Sequence, residues 1–272
     1  MQIQTSIFMK QTSFLISTIL FGLFFQSCMF PPERQQVETC EVIKTKKAID
    51  KPEVNTIHAK IKIAAGLLEL DSNTDKLAEA EFEYNVKKWK PEITYTEEAE
   101  TGNLRIDQPN LKSTSLGGNV KNNWIISLSK DVLFENFDIE FGAGSAELDL
   151  EMLKIKNLDL KLGAGEVKTN LANSNTLEYL EVEMGIGDAT IDLSGITSVL
   201  RAEIEGGIGQ ITLILPEETG VKVLAQKGIG TINFSGLTKN GNIYTNEACK
   251  TSEKIIKIDI QTGLGEVNLK VR

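Results

Sequence analysis

One phrase recurs through the second half of this 272-residue sequence: an apolar strand, Gly-x-Gly, and a second strand. It reads FGAGSAELDL from Phe141, LGAGEVKTNL from Leu162, MGIGDATIDL from Met184, GGIGQITLIL from Gly206, KGIGTINFSG from Lys227 and TGLGEVNLKV from Thr262. The first glycines, Gly142, Gly163, Gly185, Gly207 and Gly228, stand 21, 22, 22 and 21 residues apart, with one longer step to Gly263. A fixed period in this range predicts a solenoid, whose coils bury their apolar faces only against one another.

Alternation within the phrase predicts what each coil is made of. Before the glycines every second residue is apolar, as in Phe137, Ile139, Phe141 or Leu158, Leu160, Leu162. After them the apolar set is Ala146, Leu148, Leu150 or Ile211, Leu213, Leu215, so the parity has slipped by one. Period two marks a strand with one buried face. A slip of one residue turns the next strand inside out unless the chain also bends. Two glycines supply that bend, because they adopt backbone angles closed to other residues. The expectation is an all-β chain, a parallel β-solenoid or β-roll of 21–22-residue coils with Gly-x-Gly corners.

Other readings of the glycines fail on spacing. A dinucleotide site needs Gly-x-Gly-x-x-Gly opening a helix. Here the sixth residue is Glu147, Lys168, Thr190, Thr212, Asn233 or Asn268, and strand-like alternation continues. The calcium-binding nonapeptide roll has another period and a recurring aspartate that is missing.

Four regions follow. Residues 1–27 read as a signal peptide: Lys10 precedes the apolar run Phe14–Phe25, which is short for a membrane span. Gln26, Ser27 and Cys28 resemble the lipobox of bacterial lipoproteins, with Phe25 at its usual aliphatic position. That resemblance implies a mature chain beginning at a lipidated Cys28, with a membrane as partner and the folded part outside the cytoplasm. No aspartate follows Cys28, which in a two-membrane bacterium implies the outer membrane. An ordinary cleaved signal or a retained anchor is the alternative. Residues 28–54 read as a flexible tether, polar and proline-bearing. Cys40 and Cys249 are candidates for a disulfide joining this tether to the C-terminal cap, allowed in an oxidising compartment.

Residues 55–135 read as an N-terminal β capping region, and 136–272 as the coils with a C-terminal cap closed by the final phrase. IHAKIKIAAGLLELD from Ile57 is a degenerate first copy. Period-two runs follow it, split by Lys-Pro, Thr-Gly-Asn and Gly-Gly-Asn turns. Trp89 and Trp124 are cap packing or, alternatively, a ligand platform. The order of FEYNVKKWKPEITY, GNLRIDQP, NNWIISLS and FGAGSAELDL, followed by the coils, resembles the toast-rack family of bacterial envelope domains over residues 57–272. The resemblance implies a β-solenoid in secreted, lipidated or membrane-tethered proteins, grouped with adhesin-like proteins and the heads of envelope-stress regulators. It brings no active site, and this chain lacks the regulators' transmembrane bundle after the signal.

Charge narrows the partners. With a formal net charge of −9 and no basic stripe, nucleic acid is excluded. A single histidine, His58, leaves no histidine-based metal site or triad, and no cofactor is implied. Outward positions before the glycines predict an acidic column of Asp138, Glu140, Asp159, Glu181, Glu183, Glu203 and Glu205, interrupted by Lys161. It is a solvated surface or a face for divalent cations or a cationic protein partner. Function therefore reads as a non-catalytic, lipid-anchored envelope module for binding or scaffolding, adhesin-like or stress-related, with the oligomeric state left open. The alternative is a carbohydrate-active, lyase-like β-helix enzyme, against which stand the lack of free bases and of an exposed aromatic row.

Overall fold

The computed structural model describes residues 39–109 and 119–272. Seven strands lead in: β1 (Ile43–Ile49), β2 (Thr56–Ile63), β3 (Gly66–Asp71), β4 (Ala78–Tyr84), β5 (Glu92–Glu98), β6 (Thr101–Asp107) and β7 (Asn122–Leu128). The repeats then form β8 (Leu133–Asp149), β9 (Lys154–Asn170), β10 (Tyr179–Asp192), β11 (Leu200–Leu215) and β12 (Gly220–Ser235). Two short strands, β13 (Thr238–Asn240) and β14 (Ile243–Thr245), precede the last, β15 (Ile255–Val271). All join one sheet in the order β1-β4-β7-β3-β8-β9-β10-β11-β15-β12-β14-β13, with β2 paired to β6 and β8, and β5 to β6.

Each long strand runs straight through its Gly-x-Gly corner, and β8 to β12 and β15 stack parallel and in register. Leu160, Val182, Ile204, Ile260 and Ala225 lie above one another and are at most 2% exposed. Burial of each large aliphatic side chain contributes about 1.5–3 kcal/mol, so the column of hydrocarbon, not any single coil, holds the stack.

The second glycine of each phrase is fixed by two constraints at once. Gly144, Gly165, Gly187, Gly209, Gly265 and Gly230 align through the stack, with φ from +127° to +148°. A Cβ on Gly187 would lie 1.9 Å from the carbonyl oxygen of Gly165. The bend thus needs the angle, and the stacking needs the missing side chain.

The stacking order departs from chain order. β15 lies between β11 and β12, so the final phrase is an inserted coil and does not close the end as its sequence position suggests. Residues 216–219 carry the chain past the position that β15 fills, about 9.6 Å at ordinary strand spacing, well within the reach of four residues. Asn246, 4% exposed, fastens the return. Its amide donates to the carbonyls of Pro216 (3.0 Å) and Thr219 (2.7 Å), and its Oδ1 accepts from the backbone of Val221 (2.9 Å) and Cys249 (3.0 Å). The end is covered instead by the β13–β14 hairpin, where Tyr244 is buried and meets Phe234 edge-on at 5.1 Å.

At the other end β4 pairs antiparallel with β7 and β1 with β4. The tether expected over 28–54 does not hold for Ile43–Ile49, which is a paired strand, and its residues 28–38 fall outside the described residues. Lys44 and Lys46 fall on alternate residues and face outward, which disguises the strand as a polar linker. A buried network seals the glycine corner here: Trp124 Nε1 donates to Asn122 Oδ1 (2.9 Å), and Asn122 Nδ2 to Ala65 O (2.6 Å) and Gln108 Oε1 (3.0 Å). Trp89 and Trp124 are 3% and 0% exposed, so they are core and offer no ligand platform.

The Cys40–Cys249 disulfide is also corrected. Cys40 donates its N–H to Asn85 O beside β1, whereas Cys249 packs at Gly220 on β12, and both thiols are free. Nine strand steps separate those positions along the sheet, roughly 40 Å, against the 7 Å limit between bridged Cα atoms. The expected signal peptide and Cys28 fall outside the described residues.

Candidate binding face

Three ladders run across the coils on the outer side of the corner. The first is the charged pair of columns read from the sequence. Asp138, Asp159, Glu181, Glu203 and Asp259 align in one, and Glu140, Lys161, Glu183, Glu205 and Gln261 in the other. All seven predicted acids are brought onto one face, but they do not form an acidic column throughout.

β2 extends both columns with lysines, Lys60 opposite Asp138 and Lys62 opposite Glu140. Hydrogen bonds from Lys60 and Lys62 hold the Glu140 carboxyl well below its usual range, at about 2. Asp159 is bonded by Lys161 (2.7 Å), whose own pKa is raised first by that bond and then by nearby Glu183 and Glu181. Beside the acids, Arg201, Lys257 and Lys222 form a basic ladder, and Arg201 bonds Glu203 at 2.7 Å. Acids stand opposite acids on β10 and β11, where Glu181 faces Glu203 and Glu183 faces Glu205, with Arg201 on Glu203 and Lys161 3.9 Å from Glu183 as partial compensation. Like charges this close repel, which costs stability unless something cationic meets them. Among the described residues no three acidic, cysteine or histidine side chains converge in a way that could hold a metal ion.

The second ladder is the floor. Gly142, Gly163, Gly185 and Gly207, with Ala64 at one end, leave backbone at the base of a cleft of about 740 Å³, walled by Lys62, Glu140, Lys161, Glu183 and Glu205.

The third ladder is the residue between the glycines: Ala143, Ala164, Ile186, Ile208, Leu264 and Ile229 in spatial order. The four large ones are exposed, Ile186 by 58%, Ile208 by 48%, Leu264 by 48% and Ile229 by 74%. Surface hydrocarbon scattered singly needs no explanation, but a continuous row of branched side chains marks an interaction surface. Sequence reasoning placed these residues in the corner without seeing that they face water. The signal was present: each stands between two glycines, which have no side chains to cover it.

The corner therefore carries an exposed apolar ridge between its glycines, and the strand segment before it carries the backbone floor and the carboxylates. Together they can hold an elongated ligand lying across the strands by contact and charge. Lys161, the base within the acidic columns, is bonded to Asp159.

Comparison with known proteins follows the same lines. The sequence model of the N-terminal domain of toast_rack, DUF2154, matches residues 38–179 and 158–214. A solved "putative cell adhesion protein" from Clostridium sporogenes is 30% identical, with a TM-score of 0.64, covering 85% of this chain and 100% of that one. A "putative adhesin" from Bacteroides fragilis is 18% identical with a TM-score of 0.44, covering 86% of this chain and 99% of that one. Among curated proteins none matches.

Proposed function

The chain belongs to the toast-rack family, and from that premise we propose that it is a non-catalytic, adhesin-like binding module of the cell envelope, carried on a membrane by a lipidated Cys28. The observation that carries this reading is the exposed ladder Ile186–Ile208–Leu264–Ile229 beside the four glutamates of β10 and β11. A solvated surface has no use for four aligned branched side chains, whereas a contact face does. The name of the Clostridium protein, similar along most of the chain, supports an adhesive role. The charge arrangement favours a partner with cationic and apolar groups together.

The test uses the full chain displayed on cells or coated on beads, scored for attachment to cell surfaces and isolated envelopes. Ile186→Lys with Ile208→Lys breaks the ridge at exposed positions, so folding should survive while attachment falls at least tenfold. Attachment unchanged in this variant, or absent in the parent, rejects the reading. Cys28→Ser should move the protein from the detergent phase to the aqueous phase; retention in the detergent phase rejects lipid anchoring.

A further inference from the structure

The two ends of the stack are finished differently. A strand at the margin of a sheet offers a row of unpaired N–H and C=O groups, and proteins blunt such edges with charge, shortness or cover. β1 carries Lys44, Lys46 and Lys47, β5 carries Glu92, Glu97 and Glu98, and β13 has three residues. β12 is protected over its first half only. Its partner β14 pairs only with Lys222–Leu224, and a last bond runs from Ala225 N to Asn242 O. From there to Ser235 no described strand pairs with its outer edge.

That bare stretch is poor in charge. In QKGIGTINFSG, residues 226–236, only Lys227 is ionisable, within a chain of net charge −9. It also exposes the rim of the core: Ile232 is partly buried, and Phe234, which faces inward beside Tyr244, is 42% exposed. A neutral, β-branched edge of this kind is a template for another strand.

The geometry of the stack limits which strand. Parallel addition of another coil needs a glycine over Gly230, as Gly230 itself sits over Gly265 with room for no Cβ. The opposite end of the glycine column cannot supply one, because Gly66 there abuts the backbone of Asn122 in β7, with β4 and β1 beyond. Head-to-tail growth is blocked, which leaves an isologous contact of β12 with itself. Antiparallel pairing about a two-fold axis at Asn233 sets Ile232 against the partner's Phe234 on the core side and Thr231 against the partner's Ser235 on the outer side. Both apolar rims are then covered, and no charge is brought opposite a like charge.

We propose that the outer edge of β12, residues 231–235, docks a second copy of this chain in antiparallel register about Asn233. Five residues on each side make a small contact, so the dimer is weak in solution and gains from confinement of both copies to one surface.

The register supplies its own test. In the full chain in detergent micelles, sedimentation should show a reversible monomer–dimer equilibrium. Thr231→Lys with Ser235→Lys places lysine opposite lysine twice and should raise Kd at least tenfold. Thr231→Lys with Ser235→Glu places opposite charges together and should return Kd to the parent value or below. Both positions face outward on the strand, beside Glu266 and Lys270 of β15, so thermal unfolding of the monomer is measured in parallel and the change in Kd should exceed any change in melting caused by Ser235→Lys beside Lys270. In the unsubstituted chain, amide exchange at 231–235 should slow as concentration rises. A monomer at every concentration, a dimer indifferent to the double lysine, or a Lys/Glu pair as damaging as Lys/Lys overturns the proposal. So does amide protection at 231–235 that does not depend on concentration, which would mean that the chain covers its own edge.

Discussion

Replacing Gly187 by alanine tests the central packing argument at a single atom. The added Cβ would lie 1.9 Å from Gly165 O, and the residue would have to hold φ at +137°. Ordinary contact begins near 3.2 Å, so coils β9 and β10 must part by about 1.3 Å at the corner, enough to break roughly two ladder hydrogen bonds at about 1 kcal/mol each. The backbone angle adds about 1–3 kcal/mol. The sum is about 3–5 kcal/mol, a large share of the stability of an ordinary domain. Gly241 provides the control: it also has positive φ, +61°, but a Cβ there meets nothing within 4 Å. Gly241→Ala should cost about 1 kcal/mol, the price of a left-handed residue alone. Urea unfolding of both variants, followed by circular dichroism, gives the comparison. Equal losses at the two sites would refute the close-stacking argument and leave only conformational freedom.

Other outcomes follow from named contacts. Glu140→Gln should lower stability at pH 7 by about 1 kcal/mol, the scale of a partly exposed ion pair. Because Glu140 is held at about 2 in the folded chain against an ordinary 4.5, its contribution is full above pH 5 and lost as pH falls towards 2, so parent and variant curves should converge there. Asn246→Ala unfastens the 216–221 loop and leaves several backbone groups unpaired, which should cost at least about 3 kcal/mol in urea unfolding. Deleting residues 254–272 removes buried Ile256, Ile258, Ile260, Val267 and Leu269, about 10 kcal/mol at about 2 kcal/mol each, and should abolish cooperative melting by calorimetry.

The coils were legible because the constraint on them is periodic. A glycine needed at every corner, and an inward residue at every second position, leave a pattern that survives without any knowledge of neighbours. What required coordinates is what the period does not encode. The phrases at Gly228 and Gly263 are interchangeable as patterns, so nothing in them says that β15 stacks before β12. Lys60 and Lys62 belong to a degenerate copy, and only the pairing of β2 with β8 reveals that they neutralise the top of the acidic columns. The residues between the glycines are apolar in the sequence, yet their exposure depends on how the corner turns them, which no count of spacing supplies.

The displaced position of β15 has a consequence for how such a chain is made. Coils β8 to β11 can pile up as they leave the ribosome or a membrane channel, each landing on the one before. β12 cannot, since its bed is laid by residues synthesised some thirty positions later. Folding therefore ends with β12 settling against a strand made after it, and a molecule interrupted before Ile255 presents proteases with a gaping cleft where its siblings have a closed wall.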